Sequence, residues 1–161
     1  MQIAVLSDTH LRVGRSLPTW VWDHIIGSDL ILHAGDVLTM ECLTDLKSIA
    51  SLEVVKGNCD GWELASLPES KIITCEQVRI GLTHGAFGTG RTTPERAFNT
   101  FERGSVDLIV FGHSHVPYFQ WHEGVLLFNP GSPTDKRREP KYSMGLIRIA
   151  ETEFEAEHIF F

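Results

Sequence analysis

The chain has 161 residues and a formal net charge of −7, from 21 acidic and 14 basic side chains. Its apolar and charged fractions, 42% and 22%, are those of a globular protein long enough to bury a substantial core, so 1–161 reads as one domain. The acidic balance argues against an extended nucleic-acid surface, no apolar run approaches the ~20 residues of a membrane span, and three cysteines without a C-x-x-C spacing argue against a disulfide framework or a zinc–thiolate site.

Gln2–Leu6 reads as a first strand. Met1–Leu6 has no basic leader and Asp8 ends it at once, which is unlike a signal peptide; with the cysteine usage, this makes the cytoplasm the expected compartment. Thr19–Ile26 has helical spacing and is stopped by Gly27. Leu30–His33 is a second strand, Thr39–Ala50 a helix with Leu43, Leu46 and Ile49 on one face, and Leu52–Val55 a third strand. This alternation implies βαβ units. Further on, Lys71–Thr74 and Val78–Thr83 form a hairpin, Thr93–Arg103 a helix with Pro94 in its first turn, and Asp107–Phe111 a buried strand. Tyr118–His122 and Val125–Phe128 flank the turn pair Glu123-Gly124, and Tyr142–Ile149 with Phe154–Phe160 suggest a last hairpin. The expected architecture is α/β, with two sheets face to face and helices outside.

The chemistry-bearing residues stand just after these strands: Asp8-Thr9-His10, Gly35-Asp36, Gly57-Asn58-Cys59-Asp60, His84-Gly85 and Gly112-His113-Ser114-His115. Sites in α/β sheets form where loops converge at the carboxyl ends of strands. Imidazole and carboxylate donors together favour Mn, Fe, Co, Ni or Zn over Mg or Ca. Asp8, His10, Asp36, Asn58, His84, His113 and His115 exceed what one ion needs. With one bridging carboxylate they supply two four-ligand shells, and ions roughly 3.5–4 Å apart can clamp a phosphoryl group.

In this order, the five blocks resemble the calcineurin-like metallophosphoesterase superfamily. The Cys in Gly57-Asn58-Cys59-Asp60 and the later Asn129-Pro130-Gly131-Ser132 are similar to its small bacterial and archaeal phosphodiesterase branch. The resemblance runs from Ile3 to about Ser132. It implies a four-layer αββα sandwich of two mixed sheets flanked by helices. It also implies a division of ligands: Asp8, His10 and His115 on a first metal, Asn58, His84 and His113 on a second, Asp36 bridging, and a bridging hydroxide as nucleophile. Asp36, Asn58 and His113 are its catalytic residues. The expected cofactors are two divalent transition-metal ions, manganese first, then nickel, cobalt, iron or zinc. The expected partner is a small phosphoester, with no membrane and no extended nucleic acid; a homo-oligomer is left open. The alternative is a non-catalytic scaffold of the same fold that acts through protein partners.

One residue departs from the family pattern. Many members carry His where this chain has Cys59, and a thiol with a reference pKa near 8.5 is a poor general acid. Asp60 is expected to orient the Asn58 loop, and His33 to be a packing residue or a support for the ligands. Arg91, Arg137 and Arg138 read as solvated loop cations before substrate contacts, Trp62 as packing before pocket lining, and His24, His122 and His158 as ordinary surface or core residues.

Overall fold

The computed structural model describes all 161 residues. Ten strands and three helices follow in the order β1 (Gln2–Leu6), α1 (Thr19–Ile25), β2 (Leu30–His33), α2 (Met40–Lys47), β3 (Ser51–Val54), β4 (Ser70–Cys75), β5 (Val78–Thr83), α3 (Thr93–Asn99), β6 (Leu108–Val110), β7 (Tyr118–His122), β8 (Val125–Asn129), β9 (Ser143–Ala150) and β10 (Glu153–Phe160). One sheet has the order β10-β9-β1-β2-β3 and the other β4-β5-β6-β8-β7. Both are mixed: β1-β2-β3 and β5-β6-β8 run parallel, and the outer pairings are antiparallel.

Alternation along the strands explains the layers. Ile3 and Val5 of β1 point into a core between the sheets, together with Leu82, Val110, Phe128 and Ile147. Their neighbours Ala4 and Leu6 face the other way, onto Val21 and Ile25 of α1 and Leu43 and Leu46 of α2. On the second sheet, Ile109 and Leu127 face outward onto Ala97 and Phe98 of α3. The central strands β2, β6 and β8 are thus buried on both faces, whereas the edge strands β7 and β10 keep exposed positions, and the result is the four-layer αββα sandwich that the sequence led us to expect.

Helix ends differ from the sequence expectation for local reasons. The α3 helix starts with a capping box between Thr92 and Glu95 and Pro94 in its first turn, but stops at Asn99. Thr100 Oγ1 bonds back to the Arg96 carbonyl, and Phe101 turns inward, where it would meet any Cβ placed on Gly81 at 2.9 Å. The α2 helix ends at Lys47, where Ser48 Oγ donates to the Asp45 carbonyl at 2.6 Å.

Candidate metal centre

The two sets of parallel strands, β1, β2 and β3 in one sheet and β5, β6 and β8 in the other, end on one side of the sandwich. The loops leaving β1, β2, β3, β5 and β6 carry Asp8 and His10, Asp36, Asn58, His84, and His113 and His115. Five of these residues have left-handed backbone, with φ of 53° at Asp8, 46° at His10, 56° at Asp36, 68° at His113 and 60° at His115. Each such turn costs a non-glycine residue roughly 1–2 kcal/mol. Two glycines let the loops close on each other. A Cβ on Gly57 would lie 2.1 Å from Asp36 Oδ1, and one on Gly112 would lie 1.8 Å from Ser7 Oγ.

All seven predicted residues meet. His115 Nε2 is 3.3 Å from Asp8 Oδ1 and 3.3 Å from His10 Nε2, and His10 Nε2 is 3.5 Å from Asp36 Oδ2. On the other side, His84 Nε2 is 3.3 Å from Asp36 Oδ2 and 3.1 Å from Asn58 Oδ1, which in turn lies 2.9 Å from His113 Nδ1. Asp36 Oδ2 therefore stands between two groups of donors.

Surrounding groups hold these atoms in place. His84 Nδ1 donates to the Ala34 carbonyl at 2.7 Å, and His115 Nδ1 donates to the Asp135 carbonyl. Each bond fixes the ring so that Nε2 presents its lone pair to the centre, as metal-ligating histidines require. Asp60 binds no donor of the cluster. Its carboxylate instead accepts the N–H groups of Asp36, Leu38 and Gly57 at 3.0, 2.9 and 2.7 Å, tying the Asp36 loop to the Asn58 loop. His33 is wholly buried behind the cluster, with Nε2 3.1 Å from Thr9 Oγ1. Ser132 Oγ donates to the Asp8 carbonyl at 2.8 Å and Thr134 Oγ1 to the Thr9 carbonyl at 2.6 Å. The sequence reading missed Ser7, Thr134 and Asp135 as supports; only their closeness in sequence to Asp8 and Ser132 could have flagged them.

The electrostatics suit a cation. Asp8 is fully buried: Oδ2 accepts from Ser7 Oγ and from the His113 N–H, but Oδ1 has no hydrogen-bond partner. Burial pushes its carboxyl above the usual range, against the pull of His84 and His115. For Asp36, burial also acts upward, but His84 and the Cys59 N–H outweigh it and hold the carboxyl well below that range. His84 is pushed down by burial and up, more strongly in sum, by Asp36 and Asp8. An orphaned buried carboxylate oxygen facing three imidazoles, those of His10, His84 and His115 at 3.9, 4.0 and 3.3 Å, fits divalent ions. Three-donor groups within 4.8 Å occur at Asp8, His10 and His115, at Asp8, Asp36 and His84, and at His10, Asp36 and Cys59.

Comparison with known proteins decides which family carries this centre. The profile of the calcineurin-like phosphoesterase superfamily domain matches residues 1–152. The chain belongs to this superfamily. A protein of Methanothermobacter thermautotrophicus named a probable metallophosphoesterase is 36% identical over 160 residues, spanning 99% of this chain and 92% of its own. Two solved structures share the fold. The zinc complex of Vps29 from Entamoeba histolytica has a TM-score of 0.79 at 22% identity, covering 99% of both chains. An archaeal phosphodiesterase has a TM-score of 0.75 at 19% identity, covering 99% of this chain and all of its own.

The remaining candidates differ in how near they come to this phosphoesterase-family centre. Asp8, Asp36, His84 and His115 are buried, whereas His113 is half-buried and Asn58 and Cys59 are exposed, so the cluster opens on the side of those three. Burial and the neighbouring Asp36 push the Cys59 thiol up to about 11. Arg137 lies on the loop pinned by Ser132, Thr134 and Asp135, also with left-handed backbone (φ 48°), and its charge is felt at Cys59. Arg91 is exposed beyond the glycines of 85–90. Trp62 is not the packing residue expected: it opens a short 3₁₀ turn (Trp62–Leu64) and stands 85% exposed. Cys42 and Cys75 are buried in the cores. No helix is long and apolar enough to cross a membrane.

Proposed function

We propose that this chain is a dimetal phosphodiesterase acting on small phosphoesters. The observation that carries the reading is the meeting of seven donor residues, among them Asp8 with a buried, unpartnered Oδ1. In this reading Asp8, His10 and His115 would hold one divalent ion, Asn58, His84 and His113 would hold the other, and Asp36 would serve both. When bound, such a pair supplies a water nucleophile at neutral pH and draws charge from the phosphoryl oxygens.

The chain's own residues do the rest. Asp8 and Asp36 offset part of the cationic charge and leave enough to attract an anion. Asn58 and His113 sit at the open side, where substrate must approach, and make up the catalytic set with Asp36. Arg137 at the rim supplies a fixed positive charge for a phosphate oxygen where Cys59, neutral with its raised pKa, supplies none. Four imidazoles favour manganese, cobalt, nickel, iron or zinc over magnesium, with manganese our first choice. Three unpaired cysteines accord with a cytoplasmic setting. The scaffold alternative is not favoured, because a scaffold has no use for a complete donor set held in strained turns.

The test is chelation followed by reconstitution. The metal-free protein is expected to leave an aryl phosphodiester intact, and Mn, Co or Ni to restore hydrolysis better than Mg. Full activity in excess EDTA overturns the reading. Asp36→Asn is expected to be the most damaging single change, with a loss of at least about a hundredfold; near-normal turnover of the metal-loaded variant removes the bridging role.

A further inference from the structure

The sandwich has four sheet edges, and three are guarded. Edge strand β3 carries Glu53 and β4 carries Lys71, and these two side chains form an ion pair that links the edges of the two sheets. Edge strand β10 alternates Glu153, Glu155 and Glu157 along its exposed positions. Charges of this kind are how proteins keep open edges from pairing with other chains. The fourth edge, β7, reads Tyr118-Phe119-Gln120-Trp121-His122 and has no Asp, Glu, Lys or Arg. Phe119 is 49% and Trp121 55% exposed, beside a groove of about 350 Å³ whose floor includes Leu126, Phe154 and Ala156 and whose far rim is the Arg148–Glu157 ion pair and Glu155. In a chain of net charge −7, an uncharged aromatic edge is out of keeping with the rest of the surface.

The hairpin fixes which backbone groups that edge offers. Glu123 and Gly124 both have positive φ, 49° and 80°, as in a two-residue type I′ turn, so His122 and Val125 are the hydrogen-bonded pair that closes it. Bonded pairs recur at every second residue, so Gln120 and Tyr118 also bond to β8. The N–H and C=O groups of Phe119 and Trp121 therefore point outward, and no other backbone group bonds to them.

We propose that β7 is a dimerisation edge whose partner is a second copy of this chain. Two β7 strands placed antiparallel about a two-fold axis through Gln120 set Phe119 of each copy opposite Trp121 of the other. All four outward-facing residues then exchange their backbone bonds, and the exposed aromatic side chains stack across the junction on one face. The surface is self-complementary without rearrangement of either chain, as an isologous contact requires. It also closes: Pro117 has no N–H to extend the ladder, and the far edge β4 is guarded by Lys71, so pairing stops at two. An extended segment of another protein would have to be ordered on binding, whereas a second copy brings its β7 already ordered by pairing with β8.

Sedimentation and amide exchange, read over a concentration series reaching the millimolar range, test this. The wild type is expected to move reversibly from monomer to dimer, more tightly at ~0.15 M salt than at low salt because screening relieves the repulsion between two acidic copies. As the dimer forms, the amides of Phe119 and Trp121 should slow by tenfold or more, while those of Gln120 and His122, already bonded to β8, stay constant. Gln120→Lys puts two like charges on the axis at an exposed position and is expected to weaken the dimer at least tenfold. Lys47→Gln, exposed at the end of α2 on the outside of the other sheet, should leave it unchanged. A wild type that stays monomeric throughout, leaving the edge to some other chain, overturns the proposal. So does a dimer that persists in Gln120→Lys or forms without protecting Phe119 and Trp121.

Discussion

Cys59 and His33 show how single side chains set what this centre can do. General-acid catalysis contributes about 10²–10⁴-fold, and a thiol raised to about 11 is a weak source of it. An aryl leaving group departs as a stable anion and needs little help, whereas an alkyl oxygen needs a proton. Aryl phosphodiesters should therefore be cleaved faster than alkyl phosphomonoesters, and Cys59→His should narrow the gap; kcat for both substrates in both proteins measures it. Equal wild-type rates mean that another group gives the proton. His33 makes a different prediction. Burial, partly countered by Asp60, lowers its pKa to about 4, below the 6.5 of an unfolded histidine. The folded state thus keeps His33 neutral while the unfolded chain takes up a proton. Stability is present above pH 6.5 and is lost as pH falls from 6.5 towards 4, by up to about 1.4 kcal/mol per pH unit. In metal-free protein, urea midpoints across that window should fall less steeply for His33→Gln than for wild type. The donors themselves were legible in the sequence because each stands one to five residues past a strand. Their supports were less so: Asp135 contributes a main-chain carbonyl, which any residue type has.

At the scale of loops and strands, close packing matters more than the identity of any donor. Gly112 leaves no room for a side chain, since a Cβ would lie 1.8 Å from Ser7 Oγ and 2.6 Å from Asp8 Oδ2. Gly112→Ala is expected to destabilise the fold by about 1–3 kcal/mol and to displace Asp8. Calorimetric titration should then show a weakened first metal shift from two equivalents towards one, and an unchanged stoichiometry rules out this coupling. Element types were readable because apolar periodicity is local, as in the capped start of α3 at Thr92. Its end at Asn99 was not, because Phe101 leaves the helix to pack under Gly81, a contact set by the opposing strand. Strand order was equally hidden, since β1 takes β9 as a neighbour from the far end of the chain.

Taken whole, the molecule shares its donors between sheets: Asp8, His10, Asp36 and Asn58 follow strands of one, and His84, His113 and His115 follow strands of the other. Bound ions would therefore tie the two halves together. A metal at about a hundred times its dissociation constant adds about 2.7 kcal/mol to stability, and for a chain of this size each kcal/mol raises Tm by about 2–4 °C. Saturating Mn is expected to raise Tm by about 5–11 °C, and Mg at the same concentration by less; scanning calorimetry reads both. The β1–β9 pairing also bears on how the chain is made. Gln2 lies opposite Arg148, so the first strand synthesised waits for one of the last before its sheet is complete, and His10 waits 105 residues for His115. Contacts this distant in sequence pay their loop-closure entropy late and slow folding. During synthesis the first half of the chain carries Asp8, His10, Asp36 and Asn58 without their partners, so under the proposed ligand division a nascent chain would lack a complete metal shell, and ion capture would follow folding instead of guiding it.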